Sequence, residues 1–244
     1  MAMVELAAET LFRIGSFPVT NTLTEIVIVD ALIIAGIVLL NKNIKKIPGA
    51  FQNLVEIVVD GFYGLTESIS PKSAMSIFPY FMSLFVFILL ANWLSLFPGF
   101  GTVGLKSKEG IIAFLRAGGS DINFTLALAI IATIATQVLA IKTIGIKHHL
   151  ARYFSFNPIF LFVGLLEILS IFTNVVSLSF RLFGNIFAGD VVLTTISQMF
   201  AFILPLPFMA LEIIVGLVQA LVFAMLTMAF MAILTTPHNE GGEH

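Results

Sequence analysis

Six polar side chains recur at regular steps through one largely apolar stretch, LLEILSIFTNVVSLSFRLFGNIFAGD: Glu167, Ser170, Asn174, Ser177, Arg181 and Asn185. Their spacings of three, four, three, four and four residues place them on one face of a helix. A helix in lipid gains nothing from such a face unless it meets protein, water or a moving ion. Arg181 is the costly member. An arginine at mid-membrane costs about 2.5–3.5 kcal/mol on insertion scales, and its guanidinium cannot be neutralised in a protein. No carboxylate stands three or four residues away: Glu167 is fourteen residues earlier, and Asp190 nine residues later, near the opposite helix face. The counter-charge has to come from another element or another chain.

A second polar line lies in the last apolar segment, where Glu212 and Gln219 are seven residues apart and share a helical face. Gln219 is placed to approach Arg181 across a hairpin. Glu212 follows the Pro205/Pro207 turn and falls on the same outer side as Asp190, while Glu167 begins the long apolar stretch toward the cytoplasm. The acids therefore divide into an outer and an inner group with Arg181 between them. Two water-filled dead ends separated by a fixed positive charge would let protons in and out without a short circuit.

These residues need spanning helices to hold them, and a span takes roughly 20 apolar residues. The expected organisation is a single membrane domain over residues 1–244. After an N-terminal segment (1–22, amphipathic at the membrane surface) come span 1 (23–40), a surface helix (51–69), span 2 (77–97) and span 3 (121–141). A long tilted helix (157–204), a last span (208–234) and a polar tail (235–244) complete it. Span 1 contains Glu25 and Asp30 and is expected to face protein in part or to sit near the interface. In the surface helix, Phe51, Leu54, Val55, Val58, Phe62, Leu65 and Ile69 recur at helical spacing opposite Gln52, Asn53, Glu56, Asp60 and Glu67. Residues 157–204 are too many for one upright crossing of about 30 Å, so a strongly tilted helix, broken near Gly184 or Gly189, is expected. The fold class is thus all-α: about five spans, one amphipathic interfacial helix and a long tilted hairpin in the C-terminal half. Lys42, Lys45 and Lys46, and then Lys142, Lys147 and Arg152, mark two cytoplasmic loops. Five crossings put the N-terminus outside and the C-terminus in the cytoplasm.

Composition sets the class and closes several others. Of 244 residues, 59% are hydrophobic and 11% charged, against about 25% charged in soluble domains. A surface this apolar needs a bilayer as solvent. The net charge of −2 offers no footprint for nucleic acid, and the absence of cysteine excludes thiol chemistry. His148, His149, His238 and His244 show no metal-ligand spacing. No Gly-rich phosphate loop followed by Lys-Ser/Thr is present, so no nucleotide site or cofactor is expected.

Several segments resemble the subunit a family of F-type rotary ATP synthases. RLFGN followed by AGD, then LEIIVGLVQALVFAMLT, is similar to that family's C-terminal half, and SDINFTLALA to the entry of its third span. PGAFQNLVEIVVDGFYG and ANWLSLFPG are similar to its earlier segments, so the likeness covers most of the chain. The resemblance implies a stator subunit that offers two offset proton half-channels to a rotating c-ring, held by peripheral-stalk subunit b in a bacterial inner membrane. It implies that Arg181 is the essential arginine facing the ring carboxylate, with Asn185 and Gln219 as its polar neighbours. It places Glu167 and Ser170 on the cytoplasmic access path, which the polar stripe extends through Asn174 and Ser177. Asp190 and Glu212 fall on the outer path, joined there by Gln219 and Asp121. Some members carry Glu where Asp190 stands and His where Glu212 stands, which alters reach and acidity along the relay. The ring chooses the coupling ion, and proton and sodium both stay open, with the proton as the default.

Plainer readings stand beside these. Arg181 could pair structurally with an acid of a neighbouring helix. Asp190 and Glu212 could lock the hairpin as a carboxyl pair, and Glu167 could be an interfacial acid. Asn185 and Gln219 could be interhelical hydrogen-bond glue. Asp121 and Asn123 could cap span 3. As a whole, the pattern could serve a self-contained secondary transporter whose arginine binds an anion, although such folds usually carry repeated halves, or a structural anchor.

Overall fold

The computed structural model describes residues 9–46, 48–97, 104–107, 110–153, 158–199 and 203–236. Seven helices build the described chain: α1 (Asn21–Asn43), α2 (Ala50–Ile69), α3 (Ala74–Ser95), α4 (Ile122–Ile144), α5 (Ile146–Tyr153), α6 (Pro158–Met199) and α7 (Pro205–Thr235). Of these, α1, α3, α4, α6 and α7 are five helices long and apolar enough to cross a membrane. The chain is an all-α multi-pass membrane protein.

Local chemistry sets the helix ends. The Thr20 hydroxyl accepts from Leu23 N at 3.3 Å to start α1, and the Asp121 carboxylate accepts from Asn123 N at 2.9 Å to start α4. α4 stops at Gly145, whose φ of 90° suits glycine. α6 is unbroken over 42 residues, about 63 Å at 1.5 Å per residue and so about twice the ~30 Å hydrocarbon core. Such a helix must lie obliquely or run out into the headgroups.

The core lies where α3, α4, α6 and α7 meet, around Ile77, Phe81, Leu182, Phe223 and Met228. Small residues on α7, including Gly216, Ala220 and Ala224, let the helices approach closely. Asn92 Nδ2 donates to Gly216 O at 3.0 Å and Trp93 Nε1 to Ile213 O at 3.1 Å, pinning the end of α3 to the start of α7. The Thr125 and Ser179 hydroxyls meet at 3.2 Å and join α4 to α6. Glu25, early in α1, meets Gly118 just before α4. Hence α1, α4 and α7 run one way and α3 and α6 the other. Lys42 in the last turn of α1 with Lys45 and Lys46 just after it, and Lys142 in the last turn of α4 with Lys147 just after it, then fall at one end of the bundle.

α2 occupies the stretch expected to be an amphipathic surface helix. Its Phe62 packs on Phe81 and Phe85 of α3, with ring centroids 5.4 and 4.8 Å apart. Phe51 and Leu54, a turn or more earlier, are left exposed.

Two hairpins add to the expected organisation, and two expectations, the break in α6 and the proline turn, need correction. Residues 10–20 of the N-terminal segment, expected only to be amphipathic at the membrane surface, form a β-hairpin: β1 (Thr10–Ile14) pairs antiparallel with β2 (Phe17–Thr20). The two-residue Gly15-Ser16 turn, with Gly15 at φ 65°, closes it. The loop after α3 contains a second hairpin, β3 (Gly104–Ser107) with β4 (Gly110–Ala113), whose ends carry glycine as strand boundaries often do. Neither Gly184 nor Gly189 breaks α6, because a glycine inside a packed helix costs only about 1 kcal/mol against alanine. Pro205 and Pro207 stand in the first turn of α7 instead of forming the turn before it, since proline has no amide hydrogen to lose there. Residues 1–8, Asn157 and residues 237–244 of the expected tail lie outside the described residues.

Candidate functional site

The polar face of α6 divides as its packing dictates. Leu178, Leu182 and Ile186 are buried against the other helices, while the adjacent row of Ser177, Arg181 and Asn185 is exposed. The guanidinium of Arg181 contacts the Ser177 hydroxyl at 3.5 Å. Among the described residues no carboxylate forms an ion pair with it. Asn185 Nδ2 donates to Gln219 Oε1 at 2.7 Å, bridging α6 and α7 one turn beyond Arg181. Gln219 therefore reaches Asn185 rather than Arg181, because burial (3% exposed) fixes its side chain inside the hairpin. Its Nε2 is buried without a hydrogen-bond partner among the described residues.

At the end of the bundle where α1, α4 and α7 begin, three carboxyls converge. Asp190, late in α6, is the common electrostatic neighbour of Glu25 and Glu212. Asp190 itself lies beside the Ser120 hydroxyl and the Arg116 guanidinium. Arg116 in turn donates to Ser120 through Nε (3.4 Å to Oγ) and Nη2 (3.3 Å to the carbonyl). Glycines make this convergence possible. A Cβ on Gly189 would collide with the Glu212 carboxylate, so α7 lays that acid directly on the α6 backbone next to Asp190. A Cβ on Gly118 would stand 2.9 Å from Glu25 Oε2, and one on Gly119 2.7 Å from Ile186 Cγ1. The Gly118–Ser120 turn has to be this lean to wedge between α1 and α6. Asp121 is buried next to Ser120, with its carboxylate engaged as the α4 cap.

The opposite end is different. A cavity of about 40 Å³ lies between α4, α6 and α7, lined by Thr133, Thr136, Gln137, Asn174, Leu178 and Thr227 among others. That is room for roughly two or three waters, although most of its wall is apolar. The threonine hydroxyls donate to their own helices, Thr136 to Ala132 O at 2.8 Å and Thr227 to Phe223 O at 3.0 Å, and so offer the cavity only lone pairs. Glu167 is half-buried and Ser170 exposed on this half of α6.

Of the residues singled out in the sequence, Asp190 joins Glu212, Asn185 joins Gln219 and Ser177 joins Arg181. Glu167, Ser170 and Asn174 lie well away from the acids. Along α6, Asn174 precedes Arg181 by seven residues and Asp190 follows it by nine, about 10 and 13 Å of helix rise. Sequence reasoning missed Glu25, Arg116 and Ser120 as members of this site. The signal for Glu25 was an acid three residues after Thr22 on an apolar helix; nothing in the local pattern around Arg116 or Ser120 pointed to α6.

Residues 23–232 match the family described as ATP synthase A chain. The chain is 31% identical over 230 residues to "ATP synthase subunit a" of Moorella thermoacetica, covering 94% of this chain and 97% of that one. It is 30% identical over 207 residues to "ATP synthase subunit a" of Geotalea daltonii, covering 84% and 82% respectively. The match reaches all five long apolar helices and includes Glu25, Arg181, Asn185, Asp190, Glu212 and Gln219, and the chain belongs to the ATP synthase A chain family.

Proposed function

We propose that this chain is the stationary subunit that carries protons to and from a rotating c-ring through two offset half-channels, coupling their passage to ATP synthesis. The observation that carries this reading is Arg181: a permanent charge on the exposed face of a long apolar helix, with no carboxylate among the described residues paired with it. The face around it is built for a neighbour, since Gly184, one turn on, has nothing within 4 Å of where a Cβ would be.

On this reading the missing counter-charge is a carboxylate of the ring. Such a group crosses lipid only when protonated, because a bare charge there is expensive. Beside Arg181 its ionised form is favoured, by about 4 kcal/mol at 4 Å and an effective dielectric of about 20. The proton leaves along the Ser177, Asn174, Ser170 and Glu167 side. The acids Asp190 and Glu212, with Gln219 and Asp121 nearby, reload the next carboxylate from the other side. Arg181 stands between and blocks direct leakage. Each charge crossing 100 mV supplies about 2.3 kcal/mol, so several transfers must be stored as rotation for each ATP. The ATP chemistry itself falls to partner subunits, with subunit b holding this chain against the ring. The lysine-bearing end of the bundle faces the cytoplasm of a bacterial inner membrane, which leaves the N-terminus outside and the C-terminus inside.

The test uses inverted vesicles holding the whole complex and reads ATP-driven proton uptake with a pH-sensitive dye. Arg181→Ala abolishes uptake while the chain still co-purifies with its c-ring. Normal uptake by that variant would sink the proposal, as would purification of an active chain without any ring.

A further inference from the structure

Resting on the proton-path reading above, we infer that Glu25 is a third proton-exchanging carboxyl of the outer path, handing protons between the N-terminal turn of α1 and Asp190. The side chain is fully buried, at 0% exposure. One oxygen, Oε2, accepts from the Gly118 amide. The other, Oε1, is buried with no hydrogen-bond partner among the described residues. Three residues earlier, on the same helical face, the buried Thr22 hydroxyl oxygen also lacks a partner. Buried polar atoms without partners cost free energy and are rare in native folds, yet the first turns of α1 retain two.

The position fits a relay. Glu25 has Asp190 as its electrostatic neighbour, and Asp190 has Glu212. The charged group facing Glu25 is Asp190 from α6, beside the Gly118 amide, and Asp190 in turn faces Glu212 from α7 and Arg116 from the segment before α4. A purely structural role would need only an acceptor for Gly118. A carboxamide oxygen would serve equally well, without placing another acid beside Asp190. A carboxyl adds the ability to take a proton on one oxygen and release it from the other while the Gly118 bond holds the group in place.

Glu25→Gln separates the two roles, because it keeps the acceptor for Gly118 and removes proton exchange. In whole complex in inverted vesicles, with chain content matched by immunoblot, Glu25→Gln lowers ATP-driven proton uptake about tenfold. That is less than the ~10²–10⁴-fold effect of a sole proton-transfer group, because Asp190 and Glu212 remain. The variant also flattens the dependence of rate on the pH of the vesicle interior, the side the outer path faces. Glu25→Asp restores most of the flux and the pH dependence. Wild-type rate and pH profile in Glu25→Gln would overturn the inference, as would a Glu25→Asp variant no better than Glu25→Gln. Asp190→Asn, measured alongside, distinguishes the two failures: if it slows uptake while Glu25→Gln does not, the path stands without Glu25. If wild-type vesicles take up no protons, both readings fall.

Discussion

The two ends of the bundle are built from different chemistry although the same helices form both. Where α1, α4 and α7 begin, Glu25, Asp190 and Glu212 crowd together with Arg116, Ser120 and Asp121, and the lean Gly118–Ser120 turn and Gly189 let them approach. At the other end the bundle encloses a small cavity, largely apolar, whose threonine hydroxyls are already committed to their own helices and whose amides are those of Gln137 and Asn174. One region gathers three acids; the other, on the half of α6 that carries Glu167, surrounds its cavity with hydroxyls, amides and apolar side chains. Arg181 separates the two on α6. On the proposed reading the path is asymmetric: loading runs through a cluster of acids, and release through a wet exit past Glu167 in the field of an arginine.

That asymmetry can be broken or sharpened by substitution. The largest effect after loss of Arg181 itself belongs to the acid end. The double variant Asp190→Asn, Glu212→Gln slows proton uptake by roughly 10²-fold, the lower part of the range for groups that transfer protons. Wild-type uptake at every pH tested would mean the acids only lock the hairpin. Next comes geometry without loss of charge. Gly189→Ala places a methyl where the Glu212 carboxylate lies, and displacing that acid lowers uptake about tenfold while the complex still assembles. The same overpacking costs ~1–3 kcal/mol of stability, read as earlier thermal release of the chain from the detergent-solubilised complex. Unchanged uptake and stability would show that the close approach at Gly189 is incidental. The smallest effect falls at the cavity end. Asn174→Leu removes one amide and lowers uptake about threefold, ~0.6 kcal/mol, near the low end for a single hydrogen bond. A loss as large as that at the acid end would erase the contrast between the two regions.

Much of this was legible along the chain, and some of it could not be. The positions of the long helices followed from runs of apolar residues, because lipid demands about twenty in a row whatever the tertiary fold. The shared face of Ser177, Arg181 and Asn185 followed from a three-and-four spacing, which any helix converts into one stripe. The cap at Asp121 was one of two readings its position before an apolar run allowed. Hairpins were less visible, since the few residues around Gly15-Ser16 carry a weak signal beside a strongly apolar neighbour. Gly189 looked like a possible break, because a lone glycine reads the same whether it interrupts a helix or makes room for a partner.

What the sequence alone determined is therefore one-dimensional: which segments suit lipid, which face of each is polar, and that Arg181 lacks a counter-charge within reach on its own helix. Only the tertiary structure decided which stripes meet. It turned Gln219 to Asn185 instead of Arg181, seated Glu212 on Gly189, and drew Glu25 from 165 residues away in the chain to within electrostatic reach of Asp190. The physical reason is that helical periodicity is a local property of the backbone. The partner of a buried carboxyl depends on how separate helices rotate and approach, and that rests on small residues whose purpose shows only once their neighbours are in place.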